Sequence, residues 1–157
     1  MKANIGLLQK DTAAVSGILT VVLSNQMVLY TKTRKFHWNV SGDSFMELHK
    51  LFEKQYKQLE EAIDETAERI AKLGYKAIGT MQEFIEHATL KEAPGKNPTQ
   101  KEMLKELLTD HETAITGLRQ NIEDCDEKYN DAGTTDFLTD LLREHETIAW
   151  TLRRYLE

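Results

Sequence analysis

His37 is followed by His49, and then by Glu53, Asp64 and Glu68. Imidazole and carboxylate together are donors for a transition metal such as Fe(II). Their spacing restricts how they can act. If residues 43–72 form one helix, His49 and Asp64 stand roughly 22 Å apart along its axis at 1.5 Å per residue. One ion cannot be held across that gap. Either the pattern is accidental, or each chain carries two half-sites that a second chain completes.

A two-fold axis through the middle of that helix, near Tyr56 and Lys57, would remove the difficulty. An antiparallel partner helix would then set His49 of one chain beside Asp64 of the other. A two-fold contact is isologous, so the arrangement occurs twice. Each site would join His37, His49 and Glu53 of one chain to Asp64 and Glu68 of its partner. A centre inside one bundle would instead need Glu-x-x-His on two helices. The residues three before His37, His49, His87, His111 and His145 are Arg34, Met46, Phe84, Leu108 and Leu142, so no such centre is expected. The bland alternative is a solvated helix face, since Lys50, Lys54, Glu60, Glu61 and Glu65 share the segment. By the same reasoning His111 and His145, on apolar stripes, read as core histidines. His87 reads as a surface residue, and Trp38 and Trp150 as core or interface.

The elements that would position these residues are helical almost throughout, with apolar residues recurring at helical spacing. Val15, Ile18, Leu19, Val22, Leu23, Leu29 and Phe36 mark a helix over about 4–36. Ser41–Ser44 breaks it, and Ser44-x-x-Glu47 reads as a capping box opening a second helix over 43–72, which stops near Gly74. Residues 75–98 form a long crossover with a short helix at 81–88. Thr99-x-x-Glu102 is another capping box, opening a third helix. Asn130–Gly133 reads as a turn, with Thr134 capping a fourth helix. Two short connections and one long crossover give an all-α, ferritin-like four-helix bundle. The whole of 1–157 reads as one domain.

The 157 residues suit one domain with a sizeable core. Net charge is −6, which argues against a broadly basic nucleic-acid surface and favours attraction of cations. Neither end reads as a polycationic tail. No run of about 18 apolar residues suggests a membrane span. There is no apolar leader followed by a small-residue cleavage site, and Cys125 is the lone cysteine, so a reducing cytoplasm is expected.

Phe36-His-Trp-Asn-Val-Ser-Gly42, Phe45-x-x-Leu48-His49-x-x-Phe52-Glu53-x-x-Tyr56 and Asp64-Glu65-x-x-Glu68-Arg69 together resemble the Dps family of mini-ferritins. The likeness runs on through Ala93-Pro94 to Asp131–Asp136 and Trp150, covering nearly the whole chain. It implies a hollow homo-dodecamer with a ferroxidase centre at each two-fold interface. His37 and His49 would be iron ligands from one subunit, and Asp64 and Glu68 from its neighbour. Glu53 occupies the family's acidic position after the second histidine, and Trp38 would lie beside the centre and intercept oxidising equivalents. Asp131, Asp136 and Asp140 match acids lining a three-fold pore. The reaction implied is oxidation of Fe(II), with hydrogen peroxide preferred over dioxygen, and storage of ferric mineral as protection against oxidative damage. Iron is the only metal implied, and no organic cofactor. The alternative is a nucleoid protein that coats DNA. Many family members bind DNA through a lysine-rich tail, a pattern this sequence lacks, so weak or absent DNA binding is expected.

Overall fold

A computed structural model describes residues 3–157. Its helices are α1 (Gln9–Asn39), α2 (Phe45–Lys72), α3 (Met81–His87), α4 (Gln100–Glu123) and α5 (Ala132–Arg154), with a π-helical turn, Asp124–Lys128, after α4. Long α1 and α2 form one antiparallel hairpin, and α4 and α5 the other. The crossover between α2 and α4 carries α3 against α1. This is the expected ferritin-like connectivity.

The boundaries differ from expectation in informative ways. Helix α1 starts at Gln9 rather than near residue 4, because Ile5 and Leu8 are exposed and have nothing to pack on. The Tyr75 hydroxyl donates to the Gln9 carbonyl and pins that start against the end of α2. At its other end α1 continues to Asn39, so His37 and Trp38 lie on the helix, not beyond it. The capping box at Ser44 is not formed. Ser44 has φ −97° and ψ 28°, outside the extended region that aims a cap side chain at the first-turn amides, and it makes no cap bond. The box at Thr99 and Glu102 is formed, and so is one at Thr80 and Glu83 that starts α3. Helix α5 begins at Ala132, capped by Asp131 rather than Thr134. Gly74, at φ +92°, ends α2 as expected from its position.

The core is two apolar clusters stacked along the bundle. One contains Val28, Phe36, Leu48, Phe52, Leu107 and Leu152. The other contains Val15, Leu19, Leu23, Ile70, Leu118 and Leu138. Full burial of each such side chain is worth about 1.5–3 kcal/mol. Helix α1 does contain an 18-residue stretch apolar enough to cross a membrane, against the sequence expectation. Its apolar residues pack into both clusters, the ordinary reason a core helix carries such a stretch.

Candidate metal centre

The last turn of α1 and the first turns of α2 bring His37 and His49 together. The two rings stack with centroids 3.8 Å apart and planes 21° from parallel. His37 Nδ1 donates to the backbone carbonyl of His49 at 2.8 Å, and His49 Nδ1 donates to the carbonyl of His37 at 2.9 Å. A carbonyl only accepts, so each ring carries a hydrogen on Nδ1, and its neutral form keeps the lone pair on Nε2. Metal-binding histidines are oriented by such a bond through the other ring nitrogen. The pair is half-buried. Tyr56 packs edge-on to His37 at 5.3 Å, and Phe45 lies 5.2 Å from His49.

Glu53 lies one turn beyond His49, and its carboxylate meets Lys57 at 2.6 Å. Lys57 holds the Glu53 carboxyl below the usual range, with smaller contributions from His37 and His49. Asp64 and Glu68 are exposed farther along α2, where Glu68 meets Lys72 at 3.2 Å. Among the described residues of one chain, no three side chains of His, Cys, Asp or Glu converge on a point where an ion would sit. The histidine half, at the junction of α1 and α2, and the acid half, farther along α2, thus stand apart within one chain.

Trp38 is 67% exposed and Trp150 54%, so neither belongs to the core of the chain. Trp38 stacks on the Arg34 guanidinium at 5.4 Å, and Arg34 also faces the rings of Tyr30 and Tyr56 at 5.4 and 4.9 Å. Sequence reading missed this cluster. Its signal was the four-residue spacing of Tyr30, Arg34 and Trp38, which places them on one helical face.

Asp131, matched above to a pore acid, is held inside the chain. It is 3% exposed, and its carboxylate accepts from Arg69 at 2.8 Å, from the Thr134 amide at 3.0 Å and from the Thr134 hydroxyl at 2.6 Å. That carboxylate is committed to capping α5 and tying it to α2. Gly133 allows this approach, since a Cβ there would come within 2.9 Å of an Arg69 nitrogen. Asp136 and Asp140 are exposed on α5, with Asp140 paired to Arg143. Partial desolvation raises the carboxyl of Glu144, an exposed residue, and the charges of Glu65, Asp140 and Glu61 raise it further, so acids from α2 and α5 gather on one face.

The ferritin-like domain family matches residues 17–157. An uncharacterised low temperature-induced protein of Nostoc sp. (strain PCC 7120) is 42% identical, over 99% of this chain and 87% of the relative. The DNA protection during starvation protein 2 of Bacillus anthracis is 34% identical, over 88% of this chain and 94% of the relative. The Dps protein of Vibrio cholerae O1, described as a member of a broad superfamily of ferritin-like diiron-carboxylate proteins, superposes with TM-score 0.93 at 30% identity, covering 100% of this chain and 98% of that one. The bundle with one long crossover has its counterpart in that superposition, and together with the match over residues 17–157 and the 34% identical relative it decides the family: the chain belongs to the Dps family of ferritin-like proteins.

Proposed function

We propose that the chain is a cytoplasmic mini-ferritin. It oxidises Fe(II), preferentially with hydrogen peroxide, at sites shared between two copies, and stores ferric mineral inside a hollow dodecamer. The observation that carries this reading is the His37–His49 pair, oriented with Nε2 lone pairs unused, at a distance along α2 from the acids that would complete its ligand set. His37 and His49 of one chain, with Asp64 and Glu68 of an antiparallel partner, hold the substrate ions. Glu53, freed from Lys57, adds a carboxylate close to the histidines. Two Fe(II) ions give one electron each to one hydrogen peroxide, whose O–O bond breaks and which takes up two protons from solvent to yield two waters. Carboxylates stabilise the ferric charge, and the protein's main contribution is to bring both ions and the oxidant together. Peroxide is consumed without releasing a one-electron radical product. Trp38, the residue after His37, intercepts any stray oxidising equivalent. Exposed Asp136 and Asp140 guide cations inward.

The relative from Bacillus anthracis is named for DNA protection, which motivates the second reading of a DNA-coating protein. Phosphate binding needs several cationic contacts, and a net charge of −6 makes DNA binding weak or absent near neutral pH. A gel shift that survives about 0.15 M salt, where screening is effective, would favour the second reading.

The test of the first reading is anaerobic addition of Fe(II) to iron-free protein, followed by peroxide, with ferric absorbance recorded. Faster oxidation than in buffer is expected. Equal rates would reject the ferroxidase. Elution as a monomer, or as a dimer with nothing larger, would reject the cage.

A further inference from the structure

The bundle core is interrupted at its waist. Three helices each bring a long polar side chain between the two apolar clusters. These are Gln26 on α1, between Leu23 and Val28, His111 on α4, between Leu107 and Leu118, and His145 on α5, between Leu142 and Ile148. Their exposures are 1%, 0% and 4%. The Nδ1 atoms of His111 and His145 lie 2.8 Å apart, so one ring donates to the other. The Thr66 hydroxyl lies 2.9 Å from Gln26 Oε1 and 2.7 Å from the Ala62 carbonyl, two acceptors for its one hydrogen. The Nε2 atoms of both His111 and Gln26 are buried without a partner. Buried polar atoms are paired with few exceptions, so two orphans in one layer require an explanation. Beside them a cavity of about 290 Å³ opens between α1 and α4, with Gln26 and His145 on its wall among Val22, Leu29 and Leu118.

We propose that this waist binds a soft monovalent cation, of the Cu(I) or Ag(I) class, between Nδ1 of His111 and Nδ1 of His145. The donor set argues for the class. Neutral imidazole is a good ligand for copper. No Asp or Glu lines the cavity, so a divalent or trivalent ion would bring uncompensated charge into the core. A monovalent ion brings the least. On binding, the hydrogen between the rings moves to Nε2 of its own imidazole, so no proton leaves and the added charge is the ion's alone. Two metal–nitrogen bonds of about 2 Å each span more than one hydrogen bond. The rings must therefore part, and the cavity beside His145 gives the room. This site lies inside one chain and does not depend on the iron reading of the interface.

Crystals of the full chain soaked in silver nitrate, free of chloride, provide the direct test. An anomalous peak between the two Nδ1 atoms is expected. Its absence at full soaking would overturn the proposal, whatever other peaks appear. In solution, Cu(I) is titrated anaerobically against a coloured chelator, using a chain with Cys125→Ala, His37→Gly and His49→Gly to remove competing ligands. Retention of one tightly held ion per chain is expected, and loss of that ion on adding His145→Phe or His111→Gln. An unchanged ion count in either variant would overturn the proposal. If both variants fail to fold, the anomalous map of the unaltered chain decides.

Discussion

The bonds that His37 and His49 exchange make each ring the holder of the other, so neither imidazole needs to reorganise to present Nε2. Changing both to Gly is expected to slow early Fe(II) oxidation by about 10–100-fold, the usual cost of losing groups that bind or orient a metal. Stopped-flow ferric absorbance measures it, with light scattering to verify that the assembly is retained. An unchanged rate would show that these imidazoles hold no iron. Cys125 illustrates the opposite case, a chemically capable group kept silent. Burial, with Asp131 and Asp124 adding and Arg69 opposing, pushes its thiol up to about 11. A raised pKa leaves little thiolate at pH 8, so a thiol reagent should label the folded protein negligibly and the unfolded protein fully. Prompt labelling of folded protein would contradict this. Both histidines were readable from sequence because residue type and spacing alone define the pattern. Arg34 was not, because its role comes from three aromatic faces, one of them Tyr56 on the other helix.

At the level of elements, Lys32 clamps three segments. From α1 its ammonium meets Glu106 at 2.9 Å and Asp110 at 2.6 Å on α4, and the Lys91 carbonyl of the crossover at 2.9 Å. Burial alone would lower the Lys32 pKa, but its bonds to Asp110 and Glu106 more than reverse that. Lys32→Ala strands Asp110, whose carboxyl is already raised by burial. A loss of about 3 kcal/mol is expected from an unpaired buried charge. Chemical denaturation measures it, and a loss under about 0.5 kcal/mol, typical of ordinary surface changes, would contradict the clamp. Helix number, order and the long crossover were readable because the apolar period is regular. The cap of α5 was not. Asp131 and Thr134 both suit a cap, and the choice rests on Arg69, sixty-two positions away in sequence, which pairs with the carboxylate. The π-helical turn at Asp124–Lys128 left no period to read, since it adds a residue without changing composition. The sequence placed Ser44 as a cap by type alone, whereas its backbone angles decide otherwise.

At the scale of the assembled molecule, the proposed antiparallel pairing makes a quantitative claim. Chains lacking His37 and His49 are mixed with chains lacking Asp64 and Glu68, then unfolded and refolded together. Neither variant alone can build a site. In a mixed pair, one of the two interface sites receives both intact halves. Random pairing at equal ratio should restore about a quarter of the sites, since the two-fold contact is isologous, and initial rates should recover in proportion. No recovery in a mixture that forms a normal shell would exclude sites built from His37 and His49 of one chain and Asp64 and Glu68 of another. The length of α2 then acquires a temporal meaning. On the proposed pairing, a newly made chain, whose histidines and distant acids cannot meet, would build no centre for iron and peroxide. Reactivity would switch on only when two finished copies dock, which would confine the oxidation to protein that has already begun to enclose its product.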